Sequence, residues 1–285
     1  MVDIGAITNG LQLGENGIWY SEVCPDISYP TDGNENCYAI EDDSFWFRHR
    51  NQCIACVVSL FPPEDGKTVF DLGGGNGKVS MGLGEAGFDP VLVEPGVIGA
   101  SNAKKRGIEQ VICSTVETAK FRKGSLPAVG LFDVIEHIEN DISFLQSVRP
   151  LLKKDGRLYA TVPAYSALWS AEDVNAGHFR RYDLVSLRTV LQKAGFEVEY
   201  GSYIFRFLPI LIFLLRALPF RLGLGGRRKR QGNARRDHAV KQGLLTRVLN
   251  AFLHSEIALL KRKKVMRFGG SCLVVARVSN EMDPQ

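Results

Sequence analysis

Short apolar runs along the chain alternate with segments whose apolar residues recur every three or four positions. Thr68-Val69-Phe70-Asp71-Leu72 is a buried-strand pattern, and 77–86 carries helical spacing that stops at Gly87. The same alternation predicts strands over 90–94, 110–113, 129–134, 157–162 and 196–200, and helices over 97–106, 141–153 and 184–194. Gly107 and Gly195 close two of these helices, and the Asp155-Gly156 turn launches the fifth strand. A last strand pattern covers 270–276. Strands alternating with helices of about ten residues specify a mostly parallel sheet with helices on both faces and right-handed connections. The prediction is a doubly wound α/β fold with seven strands.

Two regions fall outside this rhythm. Residues 1–43 show little periodicity; Pro25, Pro30 and the acidic Glu41-Asp42-Asp43 read as an irregular arm. Ser44 is placed to N-cap a helix over 45–61, which Pro62-Pro63 ends. Between the sixth and last strands lies a stretch too long for a loop in a compact domain. It holds two helical patterns, 204–220 and 243–260. The expected organisation is an N-terminal arm and helix (1–61), a cofactor-binding core (62–202), a helical insertion (203–268), and a last strand with tail (269–285).

Composition narrows the class without deciding it. With 45% hydrophobic and 23% charged residues, the 285-residue chain is neither disordered nor fibrous. Its six cysteines are too sparse for a disulfide framework. Cys53-Ile-Ala-Cys56 lies in an apolar run without a second such pair or paired histidines, so a buried helix face is favoured over zinc or redox chemistry, and no metal is expected. The N-terminus lacks the basic and apolar regions of a secretory leader, which makes a cytoplasmic location the expectation.

Charge does change the picture. The formal net charge is +4, yet residues 201–285 hold 17 basic and 4 acidic side chains, against 18 and 27 in residues 1–200. The apolar run Phe207–Leu215 is too short to span a bilayer, is broken by Pro209, and is bracketed by Arg206 and Arg216. Basic runs follow at Arg227-Arg228-Lys229-Arg230 and Arg235-Arg236. An apolar helix beside basic residues suits peripheral membrane contact through 203–264. Packing on the core, a dimer face or a solvated loop are the alternatives. Without interleaved aromatic and basic residues, no nucleic-acid partner is expected.

The segment richest in chemistry is Asp71-Leu72-Gly73-Gly74-Gly75-Asn76-Gly77, where the first strand turns into the first helix. Ligands in such sheets bind beyond the carboxyl ends of the strands, and glycines let backbone approach them. The dinucleotide spacing G-x-G-x-x-G fails, since Lys78 or Ser80 occupies its sixth position. The spacing acid-x-G-x-G-x-G is complete. This resembles motif I of the class I S-adenosylmethionine-dependent methyltransferases, whose sheet is Rossmann-like. The resemblance implies that 71–77 wraps the amino-acid end and ribose of S-adenosylmethionine, with Asp71 serving its amino group. It implies also that Glu94, ending the second strand, accepts hydrogen bonds from both ribose hydroxyls; a plain surface position is the alternative. Ser114 and Thr115, after the third strand, stand where the adenine pocket is expected.

Asp133-Val134-Ile135-Glu136-His137 looks like motif IV of small-molecule methyltransferases, closest to the ubiquinone-biosynthesis O-methyltransferases. Asp133 would then lie near the transferable methyl, and His137 would face the acceptor as its base; helix capping by Glu136 and His137 is the competing reading. The run is neither the Asp/Asn-Pro-Pro-aromatic pattern of adenine amino methylation nor the cysteine site of cytosine methylation. Gly177-His178-Phe179-Arg180-Arg181-Tyr182 resembles a Gly-His-x-Arg-Arg-Tyr element of bacterial members. His178, Arg180, Arg181 and Tyr182 could bind an acidic or hydroxylated acceptor, or the arginines could brace the loop against Glu172 and Asp173. Trp46 and His49 could close the cleft from the N-terminal helix, core packing being the alternative for Trp46.

The expectation is S-adenosylmethionine-dependent methyl transfer, most often to a hydroxyl of a small-molecule, lipid or sugar acceptor. A non-catalytic cofactor-binding or assembly protein is the second reading. An NAD-dependent oxidoreductase, disfavoured by the glycine spacing, is the third. The oligomeric state is left open.

Overall fold

The computed structural model describes residues 2–23, 33–223 and 244–279. Its strands are β1 (Leu11–Leu13), β2 (Ile18–Ser21), β3 (Thr68–Leu72), β4 (Asp89–Val93), β5 (Gln110–Cys113), β6 (Leu126–Phe132), β7 (Leu152–Pro163), β8 (Phe196–Ile204) and β9 (Ser271–Val278). The helices are α1 (Ile4–Ile7), α2 (Gly33–Glu41), α3 (Phe45–Leu60), α4 (Lys78–Glu85), α5 (Val97–Lys105), α6 (Val116–Ala119), α7 (Asp141–Val148), α8 (Ala171–Ala176), α9 (Leu184–Lys193), α10 (Leu208–Ile212), α11 (Leu218–Arg221) and α12 (Leu244–Lys261). A π turn, Phe213–Ala217, joins α10 to α11.

One sheet runs β1-β2-β5-β4-β3-β6-β7-β9-β8. Its centre is parallel; β9 is antiparallel to both β7 and β8, and β1 is antiparallel to β2. From β3 the chain winds outward through β4 and β5, then returns to β6 on the other flank. Between β3 and β6 the strand order reverses, and their carboxyl ends open a crevice there. The central strands are buried on both faces, as continuous runs such as Val91-Leu92-Val93 require. One face packs residues of α7 and α9, among them Leu145, Leu187 and Leu191. The other packs Ile54 and Val57 of α3, Leu83 of α4 and Leu260 of α12.

The sheet has nine strands rather than seven. The two extra strands come from the supposedly irregular arm: Gly14 and Gly17 close a tight turn in which the Gly14 amide donates to the Ile18 carbonyl at 2.9 Å. β2 then extends the sheet beside β5. These strands are too short to show a period. The helix predicted over 141–153 ends earlier, because Pro150 cannot extend it and Leu152 already begins β7. Both helical patterns of the insertion are helices, and α12 packs against α3. The runs Arg227-Arg228-Lys229-Arg230 and Arg235-Arg236 lie outside the described residues. Among the described residues no helix is long and apolar enough to cross a membrane.

Candidate active site

The glycine loop leaves β3 through Gly73, Gly75 and Gly77, all at positive φ (72°, 54° and 79°). Left-handed backbone is cheap only for glycine. A Cβ on Gly77 would sit 2.9 Å from that of Ala103, and one on Gly73 would lie 2.8 Å from Val134 Cγ2. Gly74 lies against the Asp71 carboxylate, 2.9 Å from where its own Cβ would stand. The loop is therefore pressed onto α5 and the end of β6 with no room for side chains.

Two acids anchor it. Asp71 is buried, and its Oδ2 accepts from Ser80 Oγ at 2.7 Å. Burial pushes its carboxyl up to about 6, opposed by the Ser80 hydrogen bond and by Arg50. Glu94, at the end of β4, is buried too; its Oε2 accepts from the Gly75 amide at 2.9 Å and its Oε1 from the Gly96 amide at 2.8 Å. Asn76 is buried; its side chain donates to Glu41 at 3.1 Å and accepts from Asn102 at 3.0 Å. Glu41 pairs with Arg106 at 3.0 Å, so α2 is pinned beside the loop. Ser114 and Thr115 follow β5 and are bound into the cap of α6, where Ser114 Oγ meets Thr118 Oγ1 at 2.8 Å and Thr115 caps the Thr118 amide.

Asp133 ends β6 at φ 58°, a strained position for a residue with a Cβ. Thr161 donates to its Oδ1 at 3.0 Å, and Arg50 of α3 pairs with its Oδ2. Sequence reasoning missed Arg50, because an arginine among the apolar and polar positions of 45–60 carries no motif. It is buried, and its guanidinium carbon lies 4.8 Å from the centre of the Trp46 ring. Burial raises the carboxyls of Asp71, Glu41 and Glu136, and the charge of Arg50 opposes that rise at each of them. The half-buried Trp46 stacks on Phe205, with centroids 5.7 Å apart and planes 4° apart.

Beyond Asp133, a turn of 3₁₀ helix (Ile135–His137) carries the next two groups. Neither carboxylate oxygen of the buried Glu136 has a hydrogen-bond partner. Burial, then Asp133, pushes its carboxyl well above the usual range. His137 is pulled down to about 4 by burial and by His178, against the opposing effects of Asp133 and a hydrogen bond to the Gly177 backbone. The His137 and His178 rings meet edge to face, 4.7 Å apart. Ligand atoms of Glu136, His137 and His178 all lie within 4.8 Å of one another, close enough to receive a cation.

The Gly-His-x-Arg-Arg-Tyr element is held from below. Asp173, fully buried on α8, accepts from His178 Nδ1 at 2.9 Å and from Arg181 Nε at 2.7 Å and Nη2 at 3.1 Å. Burial alone would raise it; the His178 and Arg181 hydrogen bonds overcome that and bring it to about 2. Arg180 pairs with Asp141 at 2.7 Å, and Tyr182 donates to the same carboxylate at 2.7 Å. Glu172 meets Arg216 instead, at 3.9 Å. His49 is buried against Glu256 of α12 rather than lining the crevice.

A glycine loop at a topological switch point, with a carboxylate closing the next strand, is the arrangement of a nucleoside-binding Rossmann-like enzyme. The chain belongs to the methyltransferase domain family, whose model matches residues 46–200. It is an S-adenosylmethionine-dependent methyltransferase. No curated protein matches it in sequence. Among solved structures it is similar to the methyltransferase in complex with the Haloferax volcanii Trm112 activator (14% identity, 89% of this chain and 96% of that one, TM-score 0.55). It is similar also to Haemonchus contortus phosphoethanolamine N-methyltransferase 2, solved with S-adenosylmethionine (17%, 89% and 58%, TM-score 0.53). A third is the [4+2]-cyclase SpnF (16%, 80% and 81%, TM-score 0.50). At these identities the likeness is one of fold.

Proposed function

We propose that the acceptor is a hydroxyl on a small molecule, a lipid or a sugar, and that His137 is the base in its O-methylation. The observation that carries this reading is the neutral imidazole of His137 beside His178, just past the strand end that holds Asp133. The ring is hydrogen-bonded to the Gly177 backbone, which fixes its orientation.

The residues fit the cofactor: Gly73, Gly74 and Gly77 leave no space for a Cβ, and the buried carboxylate of Glu94 follows the end of β4, where a cis-diol would find an acceptor. Bound S-adenosylmethionine would supply a methyl group on a sulfonium, which departs as a neutral thioether. Glu94 would hold the ribose hydroxyls, Asp71 the amino group, and Ser114 and Thr115 the adenine side. Arg50 adds a cation for the carboxylate end; its buried Nε has no hydrogen-bond partner, which supports that role. His137 would take the proton of the acceptor hydroxyl, so the chain's own contribution would be alignment and one proton transfer.

On the acceptor side, His178 and Arg180 form the rim, and Arg180 is about a third exposed. We read Arg181 and Tyr182 as positioning residues, since Asp173 and Asp141 hold them. Trp46 forms the wall opposite, together with Phe205.

Transfer of labelled methyl from S-adenosylmethionine to phenols, sugars and lipid-linked sugars tests the reading. O-methylated product from the wild type, lost in His137→Ala with cofactor affinity unchanged, is the expected result. Product formed only from amines would replace O- by N-methylation. Cofactor binding without turnover on any acceptor would favour the non-catalytic reading.

A further inference from the structure

From β8 the chain turns at Phe205 (φ 61°) into one continuous helical segment, α10, the π turn and α11. This segment is apolar but not buried. Pro209 and Ala217 face the protein, whereas Ile210, Leu211, Leu214, Leu215 and Leu222 are 46–67% exposed. Positions 211, 214, 215 and 222 follow helical spacing, so these side chains form a stripe rather than scattered exposures. Five large aliphatic side chains left to water on one element mark an interaction surface.

The segment is held beside the residues that follow the carboxyl end of β7. Arg221 donates to the Ala167 carbonyl at 2.9 Å, and Arg216 of the π turn reaches Glu172 of α8, so the second half of the segment is tied to the region after β7. Arg206, Arg216 and Arg221 are the charged residues between 201 and 223, and no acid stands among them.

We propose that this face docks on an anionic lipid bilayer, with the leucines entering the acyl boundary and the arginines meeting the headgroups. Charge favours this occupant over a second copy of the chain. An isologous dimer would bring two such arginine-bordered faces together, from regions with 17 basic and 4 acidic side chains each. A lipid surface of opposite charge compensates both features. The segment is too short to span a bilayer, so the contact is peripheral. Docking there would bring the region after β7 toward a lipid-borne acceptor; that consequence rests on the acceptor reading above, whereas the docking itself does not.

The test is flotation of the full chain with vesicles of phosphatidylcholine alone or with about 30% phosphatidylglycerol. The wild type should float with the anionic vesicles and be released by about 0.5 M salt. The doubly substituted Leu214→Glu/Leu215→Glu chain should partition at least about tenfold more weakly. Both positions are exposed, so that variant should keep the wild-type melting temperature and cofactor affinity. A wild type that stays unbound, or a double variant that floats equally well, overturns the proposal. So does a concentration-dependent dimer, seen by sedimentation and abolished by the same substitutions. None of these readouts needs turnover, so failure here is distinct from failure of the acceptor reading.

Discussion

Glu256 of α12 lies 2.9 Å from the His49 ring of α3, with both side chains buried. The same carboxylate accepts from the Phe205 amide at 2.9 Å and the Arg206 amide at 2.7 Å. Phe205 carries the ring on which Trp46 stacks. One acid of the insertion thus holds together the N-terminal helix, the end of β8 and the crevice wall. Burial opposes its ionisation, but the His49 bond and the two amides keep its carboxyl below the usual range.

Replacing Glu256 with alanine should cost about 3–5 kcal/mol, because it orphans His49 and two buried amides at once. Glu256→Gln, which keeps an acceptor, should cost less. Thermal denaturation checks both. The lowered carboxyl adds stability that is complete above its unfolded value of 4.5 and is lost as pH falls below it.

Asp173→Asn should loosen the acceptor rim without touching the glycine loop. The buried Arg181 fork would lose its charge partner, and His178 would lose the oxygen that orients it. The expected outcome is a destabilisation of roughly 3–5 kcal/mol. Acceptor KM should rise while cofactor affinity holds, as steady-state kinetics and calorimetry can show. Since Asp173 sits at about 2 in the folded chain, its contribution persists above the ordinary 3.8 and is lost between there and about 2.

Gly77→Ala should destabilise the protein by about 1–3 kcal/mol, from positive φ and crowding against Ala103. Cofactor affinity should fall with it, because relief requires the loop to lift from α5. Gly87→Ala, also at positive φ but with open space around the new Cβ, is the control: it should cost stability and leave affinity unchanged.

The turnover rate at saturating cofactor should stay level from pH 8 down to about 5 and fall only toward 4, where His137 takes up a proton. A limb at the ordinary histidine value of 6.5 would show that His137 is not the base. Stability follows the same displacement. Below 6.5 the unfolded chain binds a proton that the folded chain refuses, so this residue lowers stability as pH falls from 6.5 to about 4.

The parallel core was legible because its strands are buried on both faces and its turns carry glycine: Val91-Leu92-Val93 cannot be mistaken for a surface segment. The positions of the Asp71–Gly77 loop after β3 and of Glu94 after β4 followed from strand order and glycine spacing, and the structure has both there. The hairpin at 11–21 was not legible, since three- and four-residue strands show no period. The bracing of Arg181 by Asp173 was among the expectations, but Arg50 and Glu256 were not legible. Each acts on residues distant in sequence, His49 and Glu256 being 207 positions apart, and only the fold brings such groups together.

The central claim is that the glycine loop and Glu94 bind S-adenosylmethionine. Calorimetric titration of the wild type and Glu94→Ala tests it most directly. The account predicts saturable binding by the wild type and affinity about 10–100-fold weaker in the variant, with two hydroxyls left without their acceptor. No binding by the wild type, or equal affinity in both proteins, would contradict it.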